Sequence, residues 1–161
     1  MRKNILMLIL GAGALTAQAA SVNPLWMRDV RISPDGKSVV FCYKGDVYKV
    51  NANGGQAVQL TTQESYESDP VWSPDGKQIA FASDRYGNQD VFIMSADGGP
   101  ARRLTLNSAS EIPTAFSPDG KFVYFSASIQ DPAQSALFPT SAMTELYKVP
   151  AEGVPCFLQE R

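Results

Sequence analysis

The pentapeptide Ser-Pro-Asp-Gly-Lys occurs three times, at Ser33–Lys37, Ser73–Lys77 and Ser117–Lys121, with spacings of 40 and 44 residues. A repeat of that period marks a chain built from stacked copies of one supersecondary unit. Within each copy, Pro34, Pro74 and Pro118 preset φ for the second turn position. Asp35, Asp75 and Asp119 suit the third, and Gly36, Gly76 and Gly120 take the left-handed position that closes the turn. The strands that follow share a register. Val39, Ile79 and Val123 fill one slot, and Phe41, Phe81 and Phe125 the slot two residues on. The next strand opens on an acid followed by an aliphatic and an aromatic residue, as Asp46-Val47-Tyr48, Asp90-Val91-Phe92 and Glu145-Leu146-Tyr147.

The middle unit, Asp69 to Thr105, holds four short apolar runs separated by Pro74-Asp75-Gly76, by Asp84 to Asn88 and by Asp97-Gly98-Gly99. This pattern predicts a four-stranded antiparallel meander of propeller-blade size. A single blade cannot bury both faces of its sheet and must stack on neighbours. The expected fold is therefore all-β: an incomplete β-propeller of about three blades, near 28–62, 69–105 and 113–158, after a lead-in over 20–27. Propellers close with roughly four to eight blades. Further blades and downstream domains, or a second copy in a homo-oligomer, are expected to complete the ring.

Residues 1–19 read as a secretory signal: Arg2 and Lys3, an apolar run from Ile5 to Leu10, and the cleavage motif Ala17-Gln18-Ala19. The apolar run is too short to span a bilayer, so no membrane span is expected after cleavage. An uncleaved anchor is the alternative, and no cysteine follows the motif to carry a lipid. Cleavage removes two of the 14 basic residues against 16 acidic ones. An acidic chain argues against a nucleic-acid partner, and the periplasm is the expected destination.

The third unit departs from the pattern. Gly36 to Gly54 spans 18 residues and Gly76 to Gly98 spans 22, but Gly120 to Gly153 spans 33. The excess lies over 128–144, where Leu137, Phe138 and Met143 make the insertion apolar. Such insertions either carry binding contacts or pack on their own blade. After Gly153 the sequence Val154-Pro155-Cys156 is a poor fourth strand and reads as a truncated or altered frame.

Little chemistry is legible. Histidine is absent, which removes the commonest general base and metal ligand. No nucleophile elbow, zinc-binding helix motif or phosphate loop is present, and no motif points to a Ser–Lys dyad. No catalytic, metal or cofactor-binding residue is assigned. Cys42 and Cys156 are the only cysteines. An oxidising compartment permits a disulfide, but Cys42 shares its slot with Ala82 and Ser126 and reads as a small buried hydrophobe. Asp84, Asn88 and Asp90 lack a full calcium-loop pattern and suit turn chemistry. Asp29 and Asp69 open equivalent first strands. In a propeller that strand lines the channel, so they either receive cationic peptide groups or cap and cross-link the strands.

The Pro-Asp pairs at Pro34-Asp35, Pro74-Asp75 and Pro118-Asp119 make the repeat resemble the PD40 family of WD40-like repeats. Two PD40-bearing families compete. TolB-like proteins carry an α/β domain before the propeller, for which the strands here begin too early. Tricorn-type peptidases open with the propeller. Their first blades resemble Asn23-Pro24 followed by Asp46-Val47-Tyr48, and a lengthened third blade running into Glu145-Leu146-Tyr147. The chain thus resembles the N-terminal part of a tricorn-type serine peptidase of the S41 class. That resemblance implies propellers that channel peptides to catalytic domains downstream, and an oligomeric whole. The alternative is a TolB-like, non-enzymatic propeller that binds protein partners in the envelope.

Overall fold

The computed structural model describes residues 26–128 and 144–153. Eleven strands run in order: β1 Arg28–Ile32, β2 Ser38–Tyr43, β3 Asp46–Asn51, β4 Val58–Gln59, β5 Glu67–Trp72, β6 Gln78–Ser83, β7 Asp90–Ser95, β8 Arg102–Arg103, β9 Glu111–Phe116, β10 Phe122–Ala127 and β11 Glu145–Pro150. They form three antiparallel sheets, β1-β2-β3-β4, β5-β6-β7-β8 and β9-β10-β11, each a blade. The expected all-β incomplete propeller is the observed architecture. The third blade has three strands among the described residues. The expected insertion and the irregular tail with Cys156 lie outside them, except for the insertion's flanks Ser128 and Thr144, whose hydroxyls are 3.2 Å apart.

The Ser-Pro-Asp-Gly turns form as their chemistry dictates. The Gly36 N–H donates to Ser33 O at 2.9 Å, and Gly36, Gly76 and Gly120 sit at φ near +70°. The β2–β3 hairpin turns on Lys44 and Gly45, at φ 52° and 91°, the two left-handed residues that a twist-matched two-residue turn needs.

Blade stacking follows strand alternation. Val40, Cys42 and Val47 of the first blade pack on Ile79, Phe81, Phe92 and Met94 of the second. The opposite face of the second blade, with Ala80, Val91 and Ile93, packs on Val123, Phe125 and Val149 of the third. The shared slots Ile79/Phe81 and Val123/Phe125 thus point at the preceding blade, as their register predicts. Val39 and Phe41 occupy the same face of the first blade, but no described blade precedes it. The contact to the second blade is made instead by the residues between and after them, because alternate side chains of a strand point to opposite faces. One aromatic pair per blade marks the repeated face: Phe41–Tyr48, Phe81–Phe92 and Phe125–Tyr147, stacked at 5.7, 5.9 and 5.6 Å.

The first strands begin two residues before the sequence-read starts at 69 and 113, at Glu67 and Glu111. Strand β5 packs against both β1 and β9, so these three strands form the convergent inner edge.

Candidate functional site

Each inner strand carries one extra residue relative to its partner, a bulge between Arg28 and Arg31, between Ser68 and Val71, and between Pro113 and Ala115. Asp29 and Asp69 sit in the first two bulges in left-handed backbone, at φ 53° and 50°. Aspartate tolerates that conformation better than most residues because its short side chain bonds locally. The structure brings the two together: the Asp69 N–H points to Asp29 Oδ2 at 3.5 Å. In the third blade the equivalent residue is Pro113, whose ring fixes a negative φ and which has no N–H to offer Asp69. Cys42 is buried beside this pair. Burial above all, then the Asp29 and Asp69 charges, pushes its thiol up to about 12, so it is a protonated, inert filler.

The turn residues do something else. In each turn the serine hydroxyl donates to the aspartate at 2.6 Å, and the lysine N–H donates to the same oxygen at 3.0–3.1 Å. The serine hydrogen bond, then the lysine N–H, holds Asp35, Asp75 and Asp119 below the usual carboxylate range. These carboxylates are consumed in holding the turns. Between the first two turns lies an open polar groove of about 640 Å³, floored by Trp72, whose indole N–H donates to Arg31 O at 3.2 Å.

At the opposite end of the blades a third arrangement repeats, and the sequence reading missed it. Asp46, Thr61 and Glu67 recur 44 residues later as Asp90, Thr105 and Glu111. The threonine hydroxyl accepts the N–H of Val47 or Val91 at 2.9 Å. The glutamate opens the next blade, and its N–H donates to Gly45 O or Gln89 O at 2.7 Å. Each acid pair thus straddles a seam between blades. Glu67 and Glu111 are 0% and 2% exposed. Burial, reinforced by the facing carboxylate, raises Asp46 and Glu111; burial alone raises Asp90, against the pull of Arg103. The signal was available as the shared 44-residue offset, hidden because the blade starts were set at Asp69 and Pro113.

The calcium-loop alternative does not assemble. Asp84 accepts the Tyr66 N–H at 2.7 Å, Asn88 donates to Asn107 O and Ala109 O, and Asp90 pairs with Arg103 at 2.7 Å. Among the described residues no cluster of metal-ligating side chains occurs. No helix there is long and apolar enough to cross a membrane.

Among curated proteins, dipeptidyl-peptidase 5 of Porphyromonas gingivalis is 34% identical over 70 residues, covering 37% of this chain and 10% of that protein. An uncharacterised protein of Agrobacterium fabrum is 39% identical over 59 residues, covering 34% and 20%. The chain therefore spans a small part of the length of these relatives. Among solved structures, a TolB candidate from Agrobacterium tumefaciens superposes with a TM-score of 0.61 at 24% identity, over 80% of this chain and 52% of that one. TolB from Acinetobacter baumannii gives 0.58 at 23% over 75% and 29%, and the tricorn protease 0.59 at 17% over 77% and 13%. At those identities the likeness is one of fold. The family profile described as the tricorn protease N-terminal β-propeller domain matches residues 24–157, and the chain belongs to that family.

Proposed function

We propose that this chain is an exported propeller segment that forms part of a peptide-access wall for a peptidase of the tricorn type. The observation that supports it best is the inner edge: Asp29 and Asp69 stand side by side on adjacent innermost strands. Their bulged, left-handed backbone is a costly conformation kept at both positions. Two neighbouring carboxylates there offer a landing point for an ammonium or guanidinium group of a peptide. Peptides or proteins are the partners in this reading, the remaining blades and catalytic domains belong to the parent protein, and the periplasm is the site of action. Residues 1–19 supply the export signal in this reading, and no catalytic residue is assigned to the chain.

The test is binding of short lysine- and arginine-rich peptides, against acidic peptides of equal length, to the purified chain. Loss of the preference for cationic peptides in the Asp29→Asn, Asp69→Asn double variant is the expected result. No preference in the parent chain sinks the reading. Coding sequence beyond Arg161 that ends after one closed propeller, with no protease motifs, favours the TolB-like scaffold instead.

A further inference from the structure

The two acid seams share a scaffold but differ in what surrounds the glutamate. Glu67 Oε1 accepts from Ser65 Oγ at 2.5 Å, Ser83 Oγ at 3.0 Å and Arg85 Nη2 at 3.1 Å. Shifted by 44 residues, those three donors become Ala109, Ala127 and Ile129. Glu111 has therefore lost two hydroxyls and the guanidinium that its counterpart keeps. Its own donors are the Thr105 hydroxyl and the Asn107 N–H, and its Oε2, like that of Glu67, has no partner among the described residues. The charged groups facing it are Asp90 on β7 and Arg103 on β8. Arg103 is committed to Asp90 at 2.7 Å and lies over the Tyr86 ring at 4.6 Å. The seam thus holds two buried carboxyls and one cation.

We propose that the Asp90–Glu111 seam is a proton-operated latch between the second and third blades: closed while Glu111 carries a proton, loosened when that proton leaves, with the Asp46–Glu67 seam, where Arg85 holds the glutamate, as its less responsive counterpart. With Glu111 protonated, the Asp90 carboxylate and the Arg103 guanidinium balance. Deprotonation puts a second negative charge in the same dry space, where the pull of Arg103, already paired with Asp90, is smaller than the push of Asp90, and burying a poorly compensated charge is expensive. The element that responds is the backbone bond from Glu111 N–H to Gln89 O, which ties the blades together. Burial first, and the Asp90 charge with it, raises Glu111 above its ordinary value of 4.5. A raised carboxyl contributes stability that is complete below the unfolded value and is lost as pH rises through the folded one. The latch therefore closes on the acid side and loosens toward neutrality. The inference stands on the seam alone and is independent of any peptide-gating role.

Hydrogen exchange of the 161-residue chain from about pH 4.5 to about pH 8, corrected for intrinsic rates, tests it. The opening equilibrium of β9 should rise by up to about tenfold per pH unit between the ordinary and the raised glutamate values, then level off. Strand β5 should rise less than β9, because Asp46, the raised acid of its seam, is only partly buried and Glu67 keeps the Arg85 guanidinium. Glu111→Gln should flatten the β9 profile, and Glu64→Gln should leave it unchanged. Ala127→Ser restores one donor of the Glu67 arrangement and should reduce the rise, so the idea stays testable if Glu111→Gln does not fold. A β9 profile independent of pH, one matched by β5, or one that neither seam variant alters, overturns the latch.

Discussion

Cys42 shows how far one side chain's surroundings decide its chemistry. Its thiol is held near 12 by burial and by two aspartates, against about 8.5 for a free cysteine. The fraction present as thiolate at neutral pH falls by about three orders of magnitude. Alkylation of Cys42 in the native chain, followed by mass spectrometry of its peptide, should be slower than in the urea-unfolded chain by at least that factor. A comparable rate in both states would mean that the inner edge opens freely. The residue's burial was legible because Ala82 and Ser126 share its slot. The aspartates beside it were legible as acids opening equivalent first strands, there to receive cationic groups or to cap and cross-link the strands. Nothing in a one-dimensional pattern announces a bulge, and the bulge is what brings residues 40 apart in sequence to 3.5 Å in space.

The turn aspartates carry the opposite pH sign from the seam. Asp35, Asp75 and Asp119 are depressed by their serine hydroxyls. A depressed carboxyl contributes stability that is present above the unfolded value, near 3.8, and is lost as pH falls through the folded one. Thermal midpoints measured from about pH 2.5 to pH 5 should therefore fall steeply below pH 4 in the parent chain. The fall should be shallower in a variant with all three aspartates changed to asparagine. An unchanged slope would show that the hydroxyl–carboxylate bonds are not what links these turns to acid.

At the scale of the strand, Phe41, Phe81 and Phe125 occupy one slot yet differ in their neighbours. Phe81 is fully buried between blades and also lies under Arg85, 5.8 Å from the ring centre. Phe41 is 7% exposed on the face that no described blade covers. Phe81→Ala should cost about 3–5 kcal/mol, the usual range for a buried aromatic, and Phe41→Ala distinctly less. Urea titrations of both variants decide the order, and equal losses would contradict the stacking direction. The sequence carried the slot through its period of two, but not which neighbour each face meets. That depends on whether the odd or the even residues of a strand turn toward the next blade, and both sets are apolar here: Val39 and Phe41 alternate with Val40 and Cys42. The seam residues were lost for a related reason. Thr61 lies just past β4 and Glu67 opens β5, where apolar periodicity stops and only the repeat offset could have matched them.

At the scale of the whole molecule, the described blades form an open series whose two outer faces meet no further described blade. The Phe41–Tyr48 face of the first blade has no described neighbour, and Leu146 on the last strand is 67% exposed. Apolar area left in water forgoes roughly 25 cal/mol per Å², and uncapped terminal repeats associate or aggregate. Sedimentation of the chain without residues 1–19 should show self-association or weak cooperativity. A monomer with a sharp thermal transition above about 60 °C, beyond most mesophilic domains, would mean that the series is self-sufficient. Incubation with casein should yield no hydrolysis, since no motif in the sequence points to a base–nucleophile pair. Turnover abolished by changing one serine would reverse that conclusion.

The backbone bonds from Glu67 to Gly45 and from Glu111 to Gln89 also give the series of blades a mechanical grain. Each is a rivet joining the start of one blade to the hairpin of the blade before. Pulled from its two ends, the chain meets these rivets one at a time, so tension should release it in jerks and not as a smooth extension. The rivets are 44 residues apart, and an extended residue adds about 3.5 Å. The jerks should each lengthen the tether by roughly 150 Å, a ratchet spacing written into the repeat itself.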